Sequence, residues 1–246
     1  MESEQLIQHS LTGQHFGYSA ADLDSLGATE YTLVTIAVDE SSSVSAFKNE
    51  MEKCIQEVVK ACKFSPRSDY LLIRLVAFNS SMREVHGFKQ LVDCDLNDYI
   101  GAINPCGATA LFETARNAIS ATNDYGKQLA DSDFDANAIV VVITDGDDNS
   151  SGSIDAQSVG TALTQAMRDE ALESIMSILV GVGVGSYSGI SDYLDTFKDE
   201  AGINQYVEIK DADDKSFAKL AGFISQSVSS QSSALGTGGP SQTLAF

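Results

Sequence analysis

From Tyr31 the chain runs Thr-Leu-Val-Thr-Ile-Ala-Val, a β-branched and almost uninterrupted apolar stretch that stops at Asp39. Such a run predicts a strand buried on both faces. After a Ser-rich turn, Val44, Phe47, Met51, Cys54, Ile55, Val58, Val59 and Cys62 recur every three to four residues, which is the stripe of an amphipathic helix. The alternation repeats along the chain. Residues 70–78 read as a second strand, and 85–92 as a shorter, more polar antiparallel edge strand hairpinned to it through Asn79, Ser80 and Ser81. Residues 96–100 supply one helical turn, and a longer helix starts at Ala110 with Leu111, Thr114, Ala115, Ala118 and Ile119. Residues 138–144 (AIVVVIT) form a third buried run, 159–172 a helix, 175–184 a fourth strand, 190–200 a helix, 206–209 a strand and 215–228 a last helix.

Strands alternating with helices predict an α/β fold: a doubly wound, mostly parallel central sheet with one antiparallel edge strand and helices on both faces. The domain is expected over residues 31–228. Residues 1–30 contain Leu6, Ile7, Phe16, Tyr18, Leu23 and Leu26, too apolar for a linker, and are expected to pack on the domain. Residues 229–246 are rich in Ser, Gly and Gln and carry no charged side chain, so they read as a flexible tail.

Composition narrows the function. The 246 residues carry a net charge of −20 and are 43% hydrophobic, enough to fill a core and too acidic to favour nucleic acid or an anionic membrane. The longest apolar run, 138–143, is far short of the ~20 residues a membrane helix needs, and the first residues do not resemble a secretory signal. A soluble, cytoplasmic protein is expected. Cys54, Cys62, Cys94 and Cys106 form no C-x-x-C pair and read as reduced core residues. His9, His15 and His86 have no helical-spaced partners, so any metal ligands should be oxygens.

In a doubly wound sheet, ligands bind beyond the carboxyl ends of the strands. Three loops there carry oxygen donors: Asp39-Glu40-Ser41-Ser42-Ser43 after the first long strand, Gly107-Ala108-Thr109 before the long helix, and Thr144-Asp145-Gly146 after the AIVVVIT run. Asp39, Ser41, Ser43, Thr109 and Asp145 together offer two carboxylates and three hydroxyls, the hard oxygens that Mg²⁺ or Mn²⁺ takes. Hydroxyls keep the site's charge low, which leaves a bound cation electrophilic. The start of the first helix lies beside this set and adds positive potential for an anion. Ser43 and Ser45 also suit ordinary helix caps, and Ser150 and Ser151 read as solvated loop.

The ordered set of a D-x-S-x-S pattern, a Thr in a Gly-containing loop and an Asp after a buried strand resembles the von Willebrand factor A domain family and its metal-ion-dependent adhesion site. The resemblance covers about residues 31–228 and includes Gly181-Val-Gly183-Val-Gly185 at a strand end. It implies a Rossmann-like fold and a Mg²⁺ or Mn²⁺ ion held by Asp39, Ser41, Ser43, Thr109 and Asp145. It also implies a protein partner that donates an Asp or Glu carboxylate to the ion. Glu40 departs from the family's usual small or neutral residue and reads as added negative charge near the ion.

Rival readings are weaker. A haloacid-dehalogenase-type phosphotransferase needs a second carboxylate two residues after Asp39, where the chain has Ser41. Gly181, Gly183 and Gly185 miss the dinucleotide spacing by one position. A binding module is therefore expected rather than an enzyme, with a metal-dependent phosphatase less favoured. The alternative is a substrate adaptor or co-factor subunit for an AAA+ ATPase, as the chelatase-type relatives of the resembled family are.

Overall fold

The computed structural model describes residues 6–186, 189–237 and 242–246. One sheet of eight strands organises it: β1 (Ile7–His9), β2 (Tyr18–Ala20), β3 (Glu30–Asp39), β4 (Leu71–Phe78), β5 (Met82–Gln90), β6 (Asp135–Thr144), β7 (Ile175–Val182) and β8 (Gln205–Ile209), in the spatial order β1-β2-β5-β4-β3-β6-β7-β8. The run β4, β3, β6, β7, β8 is parallel. Five helices cover it: α1 (Lys48–Lys63), α2 (Leu111–Asp131), α3 (Ala156–Arg168), α4 (Ile190–Ala201) and α5 (Asp214–Ala234). The doubly wound α/β fold expected from the alternation is thus present.

The near-continuous apolar strands serve two cores at once, because successive side chains point to opposite faces. On β3, Tyr31, Leu33 and Ala37 join the core under α2, α3 and α4, whereas Val34, Ile36 and Val38 join the one under α1 and α5. From β3 the chain moves to β4 on one side through α1, and later reaches β6 on the other side through α2. The carboxyl ends of β3 and β6 therefore flank the topological switch point, where doubly wound folds place their ligands.

One expectation is corrected at the sheet's margin. β5 is antiparallel to β4 as anticipated, but it is an inner strand, because β2 pairs with it and β1 pairs antiparallel with β2. These three-residue strands are too short to register as a hydrophobic pattern. Gly87 makes the junction possible: a Cβ there would lie 2.0 Å from the Ser19 carbonyl oxygen. Beneath it the Arg74 guanidinium, 1% exposed, meets Glu84 at 2.6 Å and Asn117 at 3.1 Å.

The C-terminal segment also differs. The last helix runs to Ala234, past the boundary at 228, where Gln231 and Ser232 are buried. Gln231 donates to the Ala138 carbonyl at 3.0 Å and to Ser174 Oγ at 2.9 Å. Leu244 and Phe246 then pack against the core, Phe246 edge-on to Phe223 at 5.4 Å. Residues 242–246 are thus docked, and the part of the expected tail at 238–241 lies outside the described residues.

Candidate metal centre

The β3–β6 register pairs Val38 with Ile143, so one residue further on Asp39 and Thr144 meet on the α2 face. Thr144 Oγ1 donates to Asp39 Oδ2 at 2.6 Å, and the Ser41 N–H donates to Asp39 Oδ1 at 2.7 Å. Beyond β3 the chain enters a 3₁₀ turn, Ser42–Ala46, which turns the Ser43 side chain back toward β6. Ser43 Oγ donates to Asp145 Oδ1 at 2.9 Å and lies 3.0 Å from Ser41 Oγ. Four of the five anticipated ligands are therefore linked or adjacent at one point: Ser41, Ser43 and Asp145 form one chain, and Asp39 is tied to Ser41 through its backbone.

Thr109 is placed differently. It is buried in the loop before α2, and its hydroxyl bonds to none of the other four. Its backbone is fixed instead, since its N–H donates to Asn149 Oδ1 at 2.7 Å and its carbonyl accepts from the Asn149 N–H at 3.0 Å. The same loop is tied to the turn after β3, because the Gly107 carbonyl accepts from Ser42 N at 3.2 Å and from Ser42 Oγ at 3.1 Å. Gly107 takes φ +75, which L side chains rarely adopt, and a Cβ there would crowd Ser80 Oγ at 3.0 Å. The three loops thus converge, with Thr109 held as their neighbour.

Both carboxylates are unusually placed. Asp39 is fully buried and Asp145 is 6% exposed, and neither has a Lys, Arg or His partner among the described ion pairs. Desolvation pushes the Asp39 carboxyl up to about 6, opposed by its bonds from Thr144 and Ser41 and reinforced by the nearby Asp145 charge. Desolvation also raises Asp145, with the Ser43 bond pulling the other way. Two buried carboxylates without a counter-charge are costly. With hydroxyls at hydrogen-bond distance, they are a donor set that fits a small hard cation. Among the described residues no three His, Cys, Asp or Glu side chains cluster as a metal site, so a cation here would depend on the hydroxyls.

Several expectations change on this geometry. Glu40 does not add bare charge beside the carboxylates, because its side chain is buried against Arg83 at 2.7 Å and the Asn104 N–H at 2.8 Å. The first α-helix begins at Lys48, after the 3₁₀ turn, so its N-terminus is not immediately beside the site. Ser43 and Ser45 cap no helix: Ser43 serves Asp145 and Ser45 donates to the Ser42 carbonyl. Ser151 is not solvated. It is buried, donates to Asp148 Oδ1, and accepts from the Glu113 N–H at 2.9 Å, while Asp148 Oδ1 accepts from the Phe112 N–H at 3.2 Å. Together they satisfy the first N–H groups of α2. Cys54, Cys62 and Cys94 are buried and unpaired as expected, whereas Cys106 is exposed beside Asn79.

Read from the sequence alone, Thr144, Asn149, Asp148 and Ser151 have no role in the site. Thr144 had a usable signal, since it sits one residue before Asp145 at the end of the buried run on the same face as Asp39. The others had none, because loop partners 36 to 40 residues apart leave no local pattern.

A family model of the von Willebrand factor type A domain matches residues 34–221. No curated protein matches the chain. Among solved structures, the D319A mutant of the PilB minor pilin from Streptococcus sanguinis is similar, with a TM-score of 0.56 and 14% identity over 87% of this chain and 64% of that one. Proximal thread matrix protein 1 from the mussel byssus gives 0.52 and 20% identity over 82% of this chain and 46% of its own. The pilus adhesin SpaC from Lactobacillus rhamnosus GG, in its open conformation, gives 0.56 and 10% identity over 92% and 33%. The chain therefore spans less than two thirds of each of these neighbours, and the likeness is one of fold. No helix among the described residues is long and apolar enough to cross a membrane.

Proposed function

The chain belongs to the von Willebrand factor type A domain family, and on that premise we propose that it is a metal-dependent protein-binding module. Asp39, Ser41, Ser43, Thr109 and Asp145 would hold Mg²⁺ or Mn²⁺, and an Asp or Glu carboxylate of a partner protein would complete the ion's shell. The observation that carries the reading is the pair of buried, cation-free carboxylates, Asp39 and Asp145, flanked by the Ser41 and Ser43 hydroxyls at the switch point. An ion there supplies the counter-charge the fold leaves out and an electrophilic position for an outside oxygen.

The surroundings constrain the partner. The loops 42–46, 79–81 and 104–109 carry no charged side chain, whereas Asp147 and Asp148 lie on the β6 side. With a net charge of −20, an acidic partner would be repelled at long range. A lone carboxylate within neutral or basic surroundings fits both facts. The role proposed is binding rather than turnover, and the four unpaired cysteines support a reducing, cytoplasmic setting.

Titration calorimetry with MgCl₂ and MnCl₂ on wild type and Asp39→Ala tests the site, and a pull-down in Mg²⁺ repeated in EDTA tests its use. Saturable metal binding lost in Asp39→Ala, with a partner released by EDTA, is the expected result. No saturable binding in wild type would overturn the site, and a partner retained in EDTA would overturn its role.

A further inference from the structure

Glu40 stands between two proposed ligands, and every polar group it has is used on the neighbouring strands β4 and β5 and on the 102–109 loop. Its N–H donates to the Phe78 carbonyl at 2.7 Å, which continues the β3–β4 pairing by one residue. Its carbonyl accepts from the Cys106 N–H at 2.8 Å. One carboxylate oxygen, Oε2, accepts from the Asn104 N–H at 2.8 Å and from Arg83 at 2.7 Å. The other, Oε1, takes a longer bond from Arg83 Nε at 3.4 Å. Arg83 Nη2, the nitrogen that reaches Oε2, also donates to the Ala102 carbonyl at 2.7 Å. The side chain is only 5% exposed, so these bonds are poorly screened by water.

We propose that Glu40 is a positioning residue for the metal centre, stapling the 102–109 loop to the end of β3 so that Thr109 is held beside Asp39, Ser41 and Ser43. The inference rests on the metal-site reading above and adds what fixes the one ligand that the other four do not hold. Thr109 has its backbone anchored to Asn149 on one flank. On the other flank the loop is anchored at Ala102, Asn104 and Cys106 by Glu40 and its Arg83 partner, and at Gly107 by Ser42. Removing the carboxylate leaves the Asn104 N–H without its acceptor and Arg83 with the Ala102 carbonyl alone, so the 102–104 end of the loop loosens while the backbone bond at Cys106 is kept. A Glu at this place in the D-x-S-x-S pattern thus acts through geometry. Its negative charge is already matched by Arg83.

The test compares Glu40→Ala, Glu40→Gln and Arg83→Met by Mn²⁺ titration calorimetry and by hydrogen exchange of the 102–109 amides without metal. In Glu40→Ala, Mn²⁺ affinity should fall about tenfold, as loss of an outer partner of a ligand commonly does, and the Asn104 amide, whose acceptor is the lost carboxylate, should exchange faster. Glu40→Gln keeps an acceptor of the same length and should recover most of that affinity. Arg83→Met, at the more exposed end of the pair, should loosen residues 102–104 without unfolding the chain. Equal losses in Glu40→Ala and Glu40→Gln would show that charge near the ion is what counts and overturn the proposal. So would unchanged exchange and affinity in Glu40→Ala and Arg83→Met. Wild type that binds no Mn²⁺ overturns the metal reading instead, and with it any role for Glu40 in that centre.

Discussion

The Thr144 hydroxyl donates to Asp39 Oδ2 over 2.6 Å, and this bond joins the ends of β3 and β6 at the point where the sheet's winding reverses. It is made where both strands leave the apolar core, so it is sheltered from water, with Asp39 and Thr144 both fully buried. A hydroxyl donating to an ionised acceptor in such a place is worth more than an ordinary surface bond. The bond holds Asp39 in one orientation but brings no positive charge. On the proposed reading, a cation would supply it.

Metal affinity should therefore depend on pH in a window set by Asp39. Its carboxyl is raised in the folded chain from 3.8 to about 6, with desolvation as the largest cause. A raised group contributes stability that is complete below the unfolded value and is lost as pH rises through the folded one. Without metal, ionised Asp39 thus weakens the fold above about pH 6. A cation favours the ionised form and offsets this, so the melting-temperature gain from Mg²⁺ should be larger at pH 7.5 than at pH 5. Affinity should drop about tenfold between pH 7 and pH 5, from proton competition at one ligand. A gain constant across this range would remove Asp39 from the ligand set.

Thr144→Val keeps the side chain's shape and removes its donor. Asp39 then loses one of the bonds that oppose its desolvation, so the pH midpoint of metal binding should move upward relative to wild type. Urea unfolding at pH 7 without metal should show a loss of about 2 kcal/mol, the scale of a buried hydrogen bond to a charged group. A lower midpoint, or no loss of stability, would mean that the hydroxyl does not support the carboxylate.

Gly87→Ala should detach the first strands from the sheet. A Cβ at 87 would meet the Ser19 carbonyl carbon at 2.5 Å as well as its oxygen and Oγ, and backbone cannot swing aside as a long side chain can. The expected cost is about 2–3 kcal/mol from overpacking, with faster proteolysis confined to the residues before Ala21. A cleavage pattern identical to wild type would show that β2 accommodates the methyl.

The central strands and the loops after them were legible because they obey local rules. Uninterrupted β-branched runs mark strands covered on both faces, and a doubly wound sheet then fixes which end of them to search. Asp39, Ser41, Ser43 and Asp145 follow from that reasoning alone. What stayed hidden depends on distant partners. The serines of α5 look like a tail until Ser174 and the Ala138 carbonyl are seen to receive Gln231. Glu40 looks like surplus charge until β5 brings Arg83 beside it. Ser151 looks solvated until the start of α2 arrives over it. In each case a polar residue is paired across the fold, and polar pairing carries no period that a sequence reveals.

The two hydroxyls Ser43 and Thr109 should separate metal binding from folding. Ser43 Oγ already has work without metal, donating to Asp145 at 2.9 Å and meeting Ser41 at 3.0 Å. Ser43→Ala removes the bond that opposes the upward push of desolvation on the Asp145 carboxyl. It should therefore lower both the melting temperature of the metal-free protein and the affinity for Mg²⁺. Thr109 is anchored through its backbone, and its hydroxyl bonds to none of the other proposed ligands. Thr109→Ser keeps the oxygen and should bind Mg²⁺ like wild type. Thr109→Val discards the oxygen at nearly constant volume, so the metal-free melting temperature should stay within about 2 °C of wild type, as for a change below about 0.5 kcal/mol. Its affinity for Mg²⁺ should nevertheless fall, and with it the thermal gain that saturating Mg²⁺ gives wild type. If Thr109→Val binds Mg²⁺ as tightly as wild type while Ser43→Ala does not, the ion is held by the β3 and β6 loops alone, and Thr109 belongs to the rim that a partner touches.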